Sequence, residues 1–228
     1  MVIFCDQSCV EEIQGLRGSL PSTIIAKPFN SLMCAKEPYA SYWMKDIERD
    51  HERNYHNPNL YIIWNEKANF VKEAMRLNIY DTSWYCWCDI GCFRDSNPKT
   101  LEILKDFPNV NKTGIEQDKM YLLSIEPFTE REAATYIHNP TNTIPPVNLF
   151  QYNCRIGGTI FLGNAEVWKK WIPTYYNTMT EFMKHNLFTG KDQSIMAVVA
   201  LMNPGMVKLV RPVAGQGDPW FYLQRLFA

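Results

Sequence analysis

Short apolar runs separated by stretches of helical period recur along this chain. MVIFC, Met1 to Cys5, reads as a strand that stops at Asp6. VEEIQGLRG, Val10 to Gly18, has the make-up of a short helix that carries Arg17 and is stopped by glycine. STIIA, Ser22 to Ala26, is a second apolar strand, and strand–helix–strand is the alternation that gives parallel sheets. From Pro38 to Arg53 the pattern turns helical and then strongly polar, which predicts a solvated helix or excursion. Between Glu66 and Asn78, Phe70, Ala74 and Leu77 share one helical face with Val71 and Met75 beside it, so an amphipathic helix is expected.

Trp84 to Cys88 is an apolar run bounded by turn residues, as a central strand covered on both faces would be. It runs straight into Asp89, followed by Ile90, Gly91 and Arg94. Ser96 to Asn109 has a Ser-Asn-Pro start and a Pro stop, predicting a short helix. KMYLLSI is another strand, PFTEREAATYI a helix opened by Thr129, and HNPTNTIPPVN a Pro/Asn-rich loop. Gln151 to Asn164 reads as a strand or hairpin broken by Gly157-Gly158. Trp168, Trp171, Tyr175, Met179, Phe182 and Met183 then stripe a long helix that Pro173 either kinks or restarts. TGKDQSIMAVVALMNPG is a last helix, MVKLV a last strand, and GQGDPWFYLQRLFA a tail. The economical reading is one α/β domain over residues 1–228, a mostly parallel central sheet flanked by helices.

Composition narrows the function without choosing it. With 46% hydrophobic and 21% charged residues the chain is an ordinary globular one. A net charge of −1 without a long basic run argues against a nucleic-acid backbone binder. No apolar stretch approaches the roughly 18–20 residues that span a bilayer, and MVIFCDQ has no leader pattern. Seven cysteines, several inside apolar strands, suit a reducing compartment, so a cytoplasmic location is expected.

Asp89 is the first candidate for chemistry. Ligands of open α/β sheets gather beyond the carboxyl ends of the strands. A carboxylate there can hold Mg²⁺ or Mn²⁺, which prefer one or two carboxylates with phosphates and waters. It can equally cap the following turn. Arg94 could hold a phosphate or pair with Asp95. Lys67, in the Trp64-Asn65-Glu66-Lys67 junction, is placed near a helix N-terminus and could serve an anionic ligand or lie in a solvated first turn. Gly157 and Gly158 would let backbone approach a ligand, or form a turn or bulge. Thr189 with Asp192 resembles a capping box. Cys86, Cys88 and Cys92 lack the second ligand pair that structural zinc requires. The four histidines show no metal or triad spacing, and no dinucleotide fingerprint or P-loop is present.

Taken in order, LYIIWNEKANFVKEA, SWYCWCDIGCFR, RIGGTIFLGN and KDQSIMAVVALMNPGMVKLV resemble the bacterial HtrL/YibB family, whose viral relatives are associated with glycan synthesis. The similarity runs from about Met1 to Val210, and its most specific part is W-x-D-x-G-x-x-R with W-N-x-K upstream. The resemblance implies a Rossmann-like GT-A-type glycosyltransferase with Mn²⁺ (or Mg²⁺). Its donor would be a nucleotide-diphosphate sugar, UDP-sugar favoured, and its acceptor a glycan, in a bacterial or virus-infected host cytoplasm. Asp89 would be the metal-binding member of a D-x-D motif whose second acid is Gly91 here, with Asp218 in the tail as a further ligand. Asp6, Arg17, Trp64, Asn65, Lys67, Gly91, Arg94, Gly157 and Gly158 would lie on the donor side. Asp192 and Gln193 would stand near the transferred sugar. Members of the family usually begin one strand earlier. The competing expectation is a non-catalytic glycan- or nucleotide-binding module of the same fold. A metal-dependent phosphoesterase is weaker, because such sites gather more carboxylates and histidines.

Overall fold

The computed structural model describes residues 1–92, 102, 104–137, 143–216 and 218–228. Strand β1 (Val2–Cys5), helix α1 (Val10–Arg17) and strand β2 (Thr23–Ala26) form the expected opening, and β1 pairs with β2 in parallel from Val2 opposite Thr23 to Cys5 opposite Ala26. Helices α2 (Tyr39–Asp46) and α3 (Pro58–Leu77) follow. Then come strands β3 (Trp84–Cys88) and β4 (Met120–Ser124), helix α4 (Glu130–Ile137), strand β5 (Ile156–Asn164), helices α5 (Ala165–Lys184) and α6 (Asp192–Met202), strand β6 (Val207–Val210) and helix α7 (Tyr222–Leu226).

The second sheet has the order β3-β5-β4-β6, so β3, expected as a central strand covered on both faces, is an edge strand and only half-buried. The sheet is not mostly parallel: β5 runs antiparallel to both β3 and β4, and only β4 and β6 are parallel. A continuous apolar run reports burial on both faces and says nothing of strand direction. The chain is therefore mixed α/β. Gly157-Gly158 does not split β5 into a hairpin. The pairing with β4 instead jumps from Leu122 opposite Phe161 to Leu123 opposite Gly157, which places a bulge at residues 158–160.

Two other elements depart from the sequence pattern. Helix α3 starts eight residues before Glu66, because Asn57 caps it through Asn59 N at 3.0 Å and Pro58 occupies its first turn. Lys67 therefore sits in mid-helix and not near an N-terminus. The expected capping box at Thr189 does not form, since the Thr189 hydroxyl donates to Leu187 O at 2.8 Å. A reciprocal box does open α4, where Thr129 N donates to Glu132 Oε2 at 2.7 Å and Glu132 N to Thr129 Oγ1 at 3.2 Å. Helix α5 continues through Pro173 without restarting.

Trp168, Trp171, Tyr175, Met179 and Phe182 of α5 are buried against the sheet together with α3 and α6. Phe70 of α3 stacks on Phe4 of β1 at 4.8 Å and on Trp87 of β3 at 5.7 Å, so one ring ties the two sheets together. The opposite face of the second sheet is covered by Leu223 and Phe227 of the C-terminal segment, packed on Tyr121, Leu123, Ile160 and Leu162. With both faces covered, the carboxyl end of β3 and the start of α6 meet at one edge.

Candidate functional site

Lys67 is the meeting point. Its side chain is only 5% exposed, and its Nζ donates to Gly158 O at 2.8 Å and to Asp89 Oδ2 at 3.3 Å. It also lies 2.9 Å from Asp192 Oδ2. That last contact is an ion pair without a well-directed hydrogen bond, because Asp192 Oδ2 is buried with no donor in line. Asp192 Oδ1 accepts from Gln193 N at 2.9 Å. Asp89 Oδ1 accepts from the Trp87 indole at 2.6 Å, and Asp89 N donates to Thr159 O at 2.8 Å, which fixes the strand end.

Burial by itself would lower the lysine's pKa, but Asp192 and Asp89 together hold it above the ordinary lysine value. Burial pushes the Asp192 carboxyl up, and the charge of Asp89 adds to this against the pull of Lys67. One ammonium thus serves two carboxylates, and a negative charge is left over. Asp89, with its side chain 30% exposed, carries it toward solvent, whereas the Asp192 side chain is 7% exposed. The interior behind Lys67 is closed: a void of about 10 Å³ among Trp64, Phe161, Trp171, Tyr175 and Met196 admits no ligand.

Gly158 fits closely into this geometry. A Cβ there would lie 3.0 Å from Asp192 Oδ2 and 3.2 Å from Gln193 Cγ. Gly157 faces the other way, toward Leu123, where a Cβ would meet Cδ2 at 3.0 Å, so it packs against the core and is turned away from Asp192. Gln193 lies half-buried beside Gly158, and its side-chain amide makes no hydrogen bond among the described residues.

The remaining expected site residues are scattered. Asn65 is fully buried and spent on bracing: Nδ2 donates to Tyr61 O at 2.9 Å and Gly190 O at 3.1 Å, while Oδ1 accepts from Tyr175 at 2.7 Å. Trp64 packs edge-on against His56 at 5.0 Å. Arg17 belongs to the opposite end of β1 from Asp6, near Pro21 O at 3.5 Å and the chain's amino group, because α1 runs back along the strands. Asp6 caps the turn after β1 through Ser8 N at 2.9 Å. Asp218 caps the 3-10 turn Pro219–Phe221 through Trp220 N at 2.9 Å and does not join Asp89 and Asp192 in one ligand cluster. Gly91 lies in the 3-10 turn Ile90–Cys92 after Asp89, while Arg94 falls outside the described residues, as does most of the first half of the helix expected from Ser96, whose later part forms a 3-10 turn at Leu104–Asp106. Cys88 and Cys92 bracket that turn with their Sγ atoms 2.7 Å apart, and no third ligand joins them among the described residues.

The loop that delivers Asp192 rests on residues the hydropathy pattern had assigned to a solvated excursion. Asp46 is fully buried and its Oδ2 accepts from Thr189 N and Gly190 N, both at 2.8 Å; burial pushes its pKa up to about 6. Asp50, also buried, accepts from Tyr61 and His56, each at 2.7 Å. Trp43, Asp46 and Asp50 fall at i, i+3 and i+7, a spacing that marks one inward stripe. Asp50, His51 and Glu52 are the one acidic–histidine group of metal-ligand geometry among the described residues. Asp50 is already saturated there, and Glu52 is paired with Lys191.

Lys67 Nζ already occupies the space between the two carboxylates, so a divalent cation at Asp89 would have to lie on its outer side. It would need phosphates and waters to complete its shell.

A family profile described as "Bacterial protein of unknown function (HtrL_YibB)" matches residues 23–228. Protein HtrL of Escherichia coli (strain K12) is 24% identical over 243 residues, covering 100% of this chain and 76% of that protein. No solved structure gives a significant match. No helix among the described residues is long and apolar enough to cross a membrane. With the family profile spanning every element of the fold from β2 onward, all but β1 and α1, the chain belongs to the HtrL_YibB family.

Proposed function

We propose that the protein is a metal-dependent GT-A-type glycosyltransferase that moves a sugar from a nucleotide-diphosphate donor, a UDP-sugar in the first instance, to a glycan acceptor. The observation that carries this reading is the convergence on Lys67 of a strand-end carboxylate, a glycine carbonyl and the first residue of α6. Asp89 would hold Mn²⁺ or Mg²⁺, which when bound neutralises the charge of a departing diphosphate. Lys67 fixes the Asp89 carboxylate and keeps a cation beneath it, so little reorganisation is needed as charge develops. Asp192 is too enclosed to meet a sugar directly and acts by orienting Lys67. Gln193, with an unengaged amide beside Gly158, is the group that would contact the transferred sugar.

The closed interior and the enclosed Asp192, already paired with Lys67, favour a second reading, a module that binds the nucleotide or glycan without turnover. Calorimetric titration of UDP with and without Mn²⁺, on wild type and Asp89→Asn, tests what the two readings share. Metal-dependent binding lost in the variant supports it, and no binding to folded wild type sinks the transferase and the nucleotide-binding module alike, leaving only a glycan binder. Transfer of labelled sugar to a glycan then separates enzyme from module.

A further inference from the structure

An open cavity of about 460 Å³ lies on the far side of α3 from Asp89, between the helix and the segment that follows β2. Its size is that of a small-molecule site. Four cations line it, Lys27, Lys36, Lys72 and Arg76, against two carboxylates, Glu66 and Glu73. Both carboxylates are already engaged. Glu73 is paired with Lys27. Glu66, 2% exposed, accepts from Cys34 N at 2.9 Å, Met33 N at 3.1 Å and Asn69 Nδ2 at 3.2 Å. Lys36, Lys72 and Arg76 have no carboxylate partner among the described residues.

Lys72 and Arg76 stand at i and i+4 on one helix face, a like-charge arrangement that is unfavourable unless an anion lies between them. Lys36 approaches from the opposite wall. The consecutive residues Glu66 and Lys67 separate the two sites: Lys67 turns to Asp89, while Glu66 turns to the Met33–Cys34 backbone beside this groove. We propose that the groove is a second site, which binds a small phosphate-bearing molecule through Lys36, Lys72 and Arg76 and needs no metal. It does not depend on the glycosyltransferase reading. A guanidinium and two ammonium groups supply the charge-assisted donors that phosphate oxygens take.

Inorganic pyrophosphate, titrated calorimetrically in EDTA at low ionic strength, is the probe. Saturable binding is expected for wild type and, within about twofold, for Asp89→Asn; Lys72→Glu/Arg76→Glu should weaken it by about tenfold or more. Circular dichroism checks the fold of the double variant, and Lys72→Gln/Arg76→Gln replaces it if the reversals unfold the chain. The proposal is overturned if folded wild type shows no saturable binding, if binding is lost with Asp89→Asn, or if the charge variants bind as wild type does.

Discussion

Lys67→Met is the sharpest test of the site's physics, because it keeps an unbranched side chain and deletes only the ammonium. Asp89 can recover hydration through its exposed side, but Asp192, at 7% exposure, cannot. Removing one partner of a buried ion pair costs about 3–5 kcal/mol, chiefly the penalty of the stranded charge. With a urea slope of about 2–3 kcal/mol/M, the unfolding midpoint should fall by roughly 1–2 M, followed through tryptophan fluorescence. The loss should depend on pH. Burial already holds Asp192 above the usual carboxylate range against the pull of Lys67, so without the lysine its pKa rises further. A carboxyl raised in the folded state makes the native protein bind more protons than the unfolded one, so stability grows as pH falls through the folded value. The deficit of Lys67→Met should therefore shrink as the pH is lowered, and Lys67→Met/Asp192→Asn should recover most of it. A deficit below about 1 kcal/mol with no pH dependence, the behaviour of a solvated pair, refutes the argument.

Two further outcomes follow from the same neighbourhood. A Cβ on Gly190 would lie 2.6 Å from Tyr61 Cδ1, on a fully buried ring, whereas one on Gly158 would lie 3.0 Å from a carboxylate oxygen. Gly190→Ala should thus lower the melting temperature more than Gly158→Ala, which itself costs about 1–3 kcal/mol; the reverse order would contradict the packing. Asp46, raised to about 6 by burial, makes the native state bind the extra proton between its unfolded value and that pH, so its contribution to stability declines as pH rises through the window. Asp46→Asn keeps an acceptor for Thr189 N and Gly190 N and should flatten that part of the stability–pH curve by about 3 kcal/mol, and an unchanged curve would show that Asp46 is not the titrating group.

Much of this could be read from the sequence because it is local. Apolar runs located the strands, the aromatic stripe from Trp168 to Phe182 located α5, and a carboxylate at the end of an apolar run located Asp89. What could not be read is three-dimensional. Strand direction leaves no trace in a doubly covered strand, so the antiparallel course of β5 was hidden. Gly157 and Gly158 look alike in the sequence, but alternate residues of a strand face opposite ways, and only Gly158 reaches Asp192. The polar stretch around Asp46 and Asp50 appeared solvated because charged residues are rarely buried without partners, and their partners, Thr189, Gly190 and Tyr61, are supplied by other parts of the chain. Lys67 was singled out for the wrong reason, a helix start that lies nine residues away at Pro58.

Asn65 reaches a carbonyl 125 positions further along the chain, and Lys67 one that is 91 positions further. Closing loops of that length costs entropy before any contact rewards it, so these bonds belong to the late steps of folding. A nascent chain that has not yet extruded Asp192 holds a mid-helix lysine with a single exposed carboxylate and no reason to stay in place. The site is in this sense a checkpoint on completion: amide exchange in the loop from Leu187 to Lys191 and at the end of β3 should report the same opening event, well before the interior of α5 exchanges.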